Sequence, residues 1–203
     1  MASQAPVSIV NVGYRSTNFW VVSTRASRLL IDLGWPGMFG ALEAELRRKG
    51  VPLAEISHGF ATHFHLDHAG AAQDLKNRGM QLIVTPEQVP FIGGMKRFVK
   101  QTAPFTDIRL TDNVVVAIAD SRAFLANLGL SGEFVHTPGH SDDSVSVLLD
   151  SGDVFTGDLT HPAFITEAEA DVTNASWRSL RARGATTVYA GHGPVRPFPE
   201  LEP

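Results

Sequence analysis

The sequence predicts a mixed α/β fold in which sheet layers are covered by helices, and three features of the chain lead there. Short apolar runs of strand length outnumber helical patterns. Helical patterns nevertheless recur between those runs. Several runs end in a Gly-marked turn that carries histidine or aspartate, which places polar side chains at strand ends.

Taken in order, SIVNV (8–12), NFWVV (18–22) and RLLID (28–32) are separated by the turn-rich GYRST and STRAS, the pattern of an antiparallel meander. After GWPG the rhythm changes. Residues 38–49 put Phe39, Leu42 and Leu46 on one helical face, and Gly50 stops the helix. ISHGFAT (56–62) reads as a strand that delivers THFHLDHAG (62–70), and a helix with Leu75 on its apolar face follows. QLIVT (81–85) is a strand. PEQVPFIGGMKRFVK (86–100) is helix-like but interrupted by Pro90 and Gly93-Gly94. VVVAIA (114–119), EFVHT (133–137), SVSVLL (144–149) and DVFTG (153–157) read as strands, with a helical SRAFLANLG between the first two. A last helix over about 174–183 leads to a strand at 187–190 and then Gly191-His192-Gly193.

The 203 residues suit one domain spanning 1–203, and an apolar content of 43% is that of a globular chain. Lys plus Arg number 17 against 21 Asp plus Glu, and no basic cluster offers a grip on a phosphate backbone, so no nucleic acid partner is expected. The opening residues lack a basic segment followed by an unbroken apolar run, and no apolar run approaches the roughly 20 residues of a membrane helix. A cytoplasmic protein without membrane contact is the expectation. With no cysteine, disulfides and thiolate metal sites are excluded, so any metal is held by nitrogen and oxygen.

The stretch 62–70 places three histidines and an aspartate in six residues. In an extended strand end, His63 and His65 at i and i+2 point to the same side and can meet one ion. Asp67 and His68 lie beyond a turn and can face a neighbouring ion. Neutral imidazole suits zinc, and carboxylate oxygen completes or bridges such sites. His140 in HTPGHSDDS, Asp158 in FTGDL and His192 in YAGHGP each follow a predicted strand in a Gly-marked turn. Strand ends converge, and glycine beside a ligand lets backbone approach an ion closely.

Together the NFWVV/LLIDLGWPG opening, THFHLDHAG, TPGH, GD and GH, in this order, resemble the metallo-β-lactamase superfamily over nearly the whole chain. The resemblance implies an αββα sandwich with a metal site at one edge between two sheets. It implies that His63, His65 and His140 hold a first ion, that Asp67, His68 and His192 hold a second, and that Asp158 bridges them. Two zinc ions are expected, with iron or manganese as alternatives. Such a pair, partly neutralised by Asp67, Asp158 and a hydroxide, keeps about one positive charge and suits hydrolysis.

Departures within the family sharpen the expectation. Members with a cysteine ligand are excluded. Asp158 is shared with glyoxalase II thioesterases and lactonases, whereas other β-lactamases resembling this chain commonly lack it. Only 11 residues follow His192, so the glutathione-binding helical domain of glyoxalase II is not expected. Lactonases often place a tyrosine three residues after the bridging aspartate, where this chain has His161, a candidate donor to a substrate oxyanion. The expected activity is therefore a metal-dependent hydrolase that activates water on a small ester, thioester, lactone or amide, with Asp67, Asp158 and His161 as the catalytic candidates. A mononuclear iron oxygenase resembling persulfide dioxygenases and a β-lactamase-like amide hydrolase are the alternatives, and a small molecule is the expected partner.

Plainer roles fall to the remaining polar residues. His58 and His136 read as structural strand residues, and Arg15 as an exposed turn residue. Asp142 or Asp143 either orients an imidazole or forms the turn before the next strand. Phe91, Met95 and Phe98 are either buried or part of an apolar wall of the substrate pocket formed by 87–110.

Overall fold

Alternation along short apolar strands decides the layering. The computed structural model describes residues 7–99 and 104–201. Its first sheet runs in the order β1 (Ser8–Asn11), β2 (Trp20–Ser23), β3 (Arg28–Ile31), β4 (His58–Phe60), β5 (Gln81–Val84), β6 (Val114–Val115). The first three strands are antiparallel and the rest are added in parallel. Successive side chains of a strand point to opposite faces, and here both faces are apolar. Trp20, Val22, Leu29, Ile31 and Ile83 join one buried cluster, while Val21, Leu30, Leu82 and Val84 join another. A sheet that is apolar on both faces must be covered twice.

One cover is the second sheet, in which β7 (Gly132–His136), β8 (Val145–Leu149), β9 (Asp153–Gly157), β10 (Thr187–Ala190) and β11 (Arg196–Pro197) are ordered 11-10-9-8-7. Its Phe134, Val145, Val147, Leu149 and Phe155 face the first sheet, and Phe60 stacks on Phe134 with ring centroids 4.5 Å apart. The other cover is helical. Helix α1 (Phe39–Arg48) buries Leu42 and Leu46, and beyond the one-turn α2 (Leu66–Ala69), α3 (Ala72–Lys76) buries Leu75 against the same outer face. After the short α4 (Val89–Ile92) and α5 (Ser121–Asn127), helix α6 (Ala170–Ala182) covers the outer face of the second sheet. Its Thr173, Ser176, Trp177 and Leu180 follow the i, i+3, i+4, i+7 spacing of one helical face, and all four are buried. Each fully buried leucine or phenylalanine contributes about 1.5–3 kcal/mol relative to an exposed one. The layers are thus helix, sheet, sheet, helix, the mixed α/β architecture that the sequence predicts.

Local expectations differ from the structure where elements are short. The strand read over 114–119 keeps only Val114–Val115, because the chain turns into a 3-10 helix at Ile118–Asp120 that leads into α5. The last helix starts at Ala170, ahead of the expected 174, and continues from a 3-10 turn at Glu167–Glu169. Over 86–99 the helical reading breaks into α4 and a 3-10 turn at Met95–Phe98, in keeping with Gly93-Gly94 between them. Residues 100–103 of the proposed pocket wall lie outside the described residues. Met95 is buried, whereas Phe91 and Phe98 are exposed. The edge strand β11, with Pro197 in it, escapes a pattern reading because two residues have no period.

Five strand ends meet at one edge. β3 and β4 run parallel in the first sheet; β9 and β10 run parallel in the second, and β7, antiparallel to β8 as β9 is, runs with them. The two sheets are joined there by main-chain bonds: Val145 N–H donates to the Thr62 carbonyl (2.8 Å) and Asn18 N–H to that of Gly191 (2.7 Å).

Candidate metal centre

The loops after these strands carry all seven expected ligand side chains. Strand β4 ends at Phe60, so His63 sits in a bend and His65 is the extended residue that opens α2, with Asp67 and His68 in its single turn. The turn expected inside the motif is therefore this helix. His140 lies between β7 and β8, Asp158 directly follows β9, and His192 follows β10. Their donor atoms form two groups, one of His63, His65 and His140 and one of Asp67, His68, Asp158 and His192, each with all its donors within 4.8 Å of one another.

The spacing suits a tetrahedral ion. Donors about 2.0–2.1 Å from zinc lie about 3.3 Å apart along a tetrahedron edge. His65 Nδ1 and His140 Nε2 are 3.0 Å apart. In the second group His192 Nε2 lies 3.2 Å from Asp67 Oδ2 and 3.4 Å from Asp158 Oδ2, and His68 Nε2 lies 3.2 Å from Asp158 Oδ1. Asp158 Oδ2 is also 3.7 Å from His140 Nε2, so this carboxylate stands between the two groups. His63 Nε2 is buried without a hydrogen-bond partner, and the buried His68 Nε2 and Asp158 Oδ1 have no nearer partner than each other at 3.2 Å. Buried polar atoms left so are costly, and a cation in each group would satisfy them.

Three of the imidazoles that present Nε2 to the site have Nδ1 engaged elsewhere. His68 Nδ1 meets Asp32 Oδ2 at 2.9 Å, His192 Nδ1 donates to the Ser16 carbonyl at 2.6 Å, and His63 Nδ1 lies 3.2 Å from Thr62 Oγ1. Such partners fix the tautomer that leaves a lone pair on Nε2. Burial, with the charges of the neighbouring histidines, holds His63 well below the usual histidine range, so it is a neutral donor. Burial opposes charge on His68 as well, but Asp32 and Asp158 outweigh it and raise this histidine well above the usual range. Burial likewise works against ionised Asp158, yet His68, His192 and His140 hold its carboxyl below the ordinary range. The second group thus keeps its anion, and a divalent ion there competes with the His68 proton.

Asp32 is a site residue that the sequence reading misses, although a carboxylate at the end of the apolar run RLLID needs buried partners. Only 1% exposed, it accepts from Thr62 N–H (2.8 Å) and Thr62 Oγ1 (2.9 Å) besides facing His68. It holds φ +62, a left-handed conformation that aspartate tolerates better than most residues. Asp143 does not orient an imidazole: it is buried and accepts the Phe64 N–H at 2.7 Å, fixing the main chain between His63 and His65. Asp142 is exposed, and its carbonyl meets Nε2 of His136, itself exposed on β7. His58 packs edge-on against Phe124 within the fold, and Arg15 stacks over Trp35 at 5.3 Å. Gly191 leaves room for the second group, since a Cβ there would sit 2.5 Å from His68 Cε1 and 2.6 Å from Asp158 Oδ1.

His161 is placed apart from both groups in its contacts. It lines a cavity of about 600 Å³ with Asn174, Arg178, Glu200 and Leu201. Its Nδ1 accepts the Ala163 N–H at 3.2 Å, which leaves the ring proton on Nε2. Burial, reinforced by the charge of Arg196, lowers its pKa, so the ring is neutral near pH 7.

Comparison with known proteins agrees with this geometry. Residues 12–192 match the profile of the metallo-beta-lactamase superfamily, and the chain belongs to that family. A lactamase-like protein, notP, of Aspergillus sp. (strain MF297-2) is 29% identical over 197 residues, covering 95% of this chain and 54% of its own length. An atrochrysone carboxyl ACP thioesterase of Emericella nidulans is 30% identical over 186 residues, covering 89% and 52%. The chain therefore spans about half the length of these curated relatives. A metallo-beta-lactamase family protein of Thermus thermophilus shares the fold with a TM-score of 0.70 at 18% identity, covering 96% of this chain and 75% of its own. The chain has the metallo-β-lactamase fold, and its His and Asp groups suit the divalent ions that this fold implies. Among the described residues no helix is long and apolar enough to cross a membrane.

Proposed function

We propose that this chain hydrolyses acyl thioesters with two divalent ions, zinc foremost. His63, His65 and His140 would hold one ion and Asp67, His68 and His192 the other, with Asp158 shared. The observation that carries the reading is the position of Asp158, within 3.2–3.7 Å of donors from both groups. A complete second group favours hydrolysis over a mononuclear iron oxygenase. Bound there, the ions supply a Lewis acid and a water that ionises near neutral pH.

The choice of a thioester rests on the Emericella nidulans thioesterase, whose carrier-protein substrate suggests an acyl group on a pantetheine thiol here. The reaction adds water across the C–S bond and releases a carboxylic acid and a thiol. His161 touches neither donor group, but an acyl group that extends from the ions into its cavity would meet the N–H at Nε2, a contact worth about 2.7–4 kcal/mol where such a donor is preorganised against a developing oxyanion.

The test is turnover of one acyl group presented on a carrier protein, on a simple pantetheine thiol, as a lactone and beside a β-lactam, by protein loaded with zinc. The thioesters are expected to exceed the other substrates at least tenfold in kcat/KM, about 1.4 kcal/mol. Preferred β-lactam or lactone cleavage sinks the thioester assignment, and oxygen uptake with a persulfide by iron-loaded protein alone sinks hydrolysis. On the best substrate, His161→Ala is expected to lower kcat at least tenfold, about 1.4 kcal/mol, with both metals retained. Unchanged kinetics would leave His161 a bystander at its cavity.

A further inference from the structure

We infer that Thr17 is a positioning residue for the second ion, and that residues 16–18 of the β1–β2 loop form a clamp acting on that ion's ligands alone. The inference rests on the ligand assignment proposed above. Among the described residues, the Thr17 hydroxyl is the only hydroxyl or amide donor that reaches Asp67: its Oγ1 lies 3.4 Å from Asp67 Oδ2. That oxygen is the one 3.2 Å from His192 Nε2. Trp35 Nε1–H donates to the same hydroxyl at 3.1 Å. A hydroxyl that accepts from an indole on one side has its own proton left for the carboxylate on the other.

The adjoining residues grip His192. Ser16 offers its carbonyl to His192 Nδ1, and Thr17 forms an isolated antiparallel bridge with His192. Asn18 donates its side-chain amide to the carbonyls of Ala190 (3.0 Å) and Gly193 (2.7 Å), and its main-chain N–H to that of Gly191. Arg15 makes the turn at φ +56, from which Thr17 enters the interior only 2% exposed. A hydroxyl buried to this degree needs partners, and the two it has are Asp67 of the second group and the Trp35 indole. Nothing in 16–18 hydrogen-bonds His63, His65 or His140 among the described residues.

The two ion groups therefore differ in what supports them. His68 leans on Asp32, His192 on Ser16 and Asp67 on Thr17. A partner that orients a ligand typically changes metal affinity about 10- to 100-fold when removed.

The experiment is titration of zinc into chelator-treated protein, read as the dissociation constants of the first and second equivalents, with thermal unfolding of the metal-free forms alongside. Wild type is expected to bind two equivalents. Thr17→Val is expected to weaken the second about 10- to 100-fold and leave the first unchanged, while Thr17→Ser, which keeps the hydroxyl, stays within about threefold of wild type. An unchanged second equivalent in Thr17→Val overturns the clamp, and so does equal weakening of both equivalents with a lowered Tm, which marks general damage. If Thr17→Val does not fold, Trp35→Phe carries the test, because it removes the indole that aims the hydroxyl. It should weaken the second equivalent alone by about tenfold, and no change overturns the clamp. Asp67→Ala separates the two levels of the argument. If it loses the second equivalent while Thr17→Val does not, only the clamp falls; if wild type binds one equivalent, the ligand assignment falls and takes the clamp with it.

Discussion

Asp158→Asn is expected to reduce hydrolysis at least a hundredfold, about 2.7 kcal/mol in activation energy, while leaving the fold intact. The residue's two oxygens together reach both groups: Oδ1 faces His68, and Oδ2 faces His192 of the same group and His140 of the other. An amide keeps the shape but has one oxygen, and its nitrogen carries two hydrogens where a lone pair is needed. It also removes one of the two negative charges that would make the proposed pair of divalent ions tolerable at short range. Zinc content should fall below that of wild type in the same variant, measured by elemental analysis, and circular dichroism should be unchanged. Full activity in Asp158→Asn would show that the carboxylate is not shared.

Asp32→Asn is expected to weaken zinc binding about 10- to 100-fold without touching any ligand. One Asp32 oxygen accepts both the N–H and the hydroxyl of Thr62, and the other faces His68 Nδ1. An asparagine that turns its oxygen to Thr62 must turn its NH₂ to His68. His68 Nδ1 then has to accept, its proton moves to Nε2, and the lone pair meant for the ion is gone. The opposite orientation strands the buried Thr62 donors at a cost of about 1–3 kcal/mol each. Asparagine tolerates the left-handed backbone at this position, so strain does not obscure the result. Zinc affinity equal to wild type would show that His68 does not depend on this tautomer.

How much of this is readable in the chain depends on how long each signal runs. Strands such as Arg28–Ile31 and Val145–Leu149 are buried on both faces, so they appear as mostly apolar runs with turns on either side. Leu42 and Leu46 mark their helix by spacing alone. The seven ligand candidates are conspicuous because histidine and aspartate are unusual at strand ends. The one-turn helix Leu66–Ala69 is not visible, since four residues cannot show a period and the turn is fixed by contacts such as the Leu33 N–H to the His68 carbonyl. Asp32, Thr17 and Asp143 escape the reading for a related reason. Each acts on a residue at least 30 positions away, and a single sequence carries no mark of which distant group a buried hydroxyl or carboxylate will meet.

The main-chain bonds that join the sheets at Thr62–Val145 and Asn18–Gly191 also set the order in which this site can come into being. Its pieces are drawn from residue 16 through residue 192, so no early fragment of the chain emerging from synthesis holds a finished half of it. Both sheets must dock before either group of donors is complete. Ions bound as proposed would be captured late in folding, and the free energy of capture would fall on the docked state alone, holding the two sheets together by mass action.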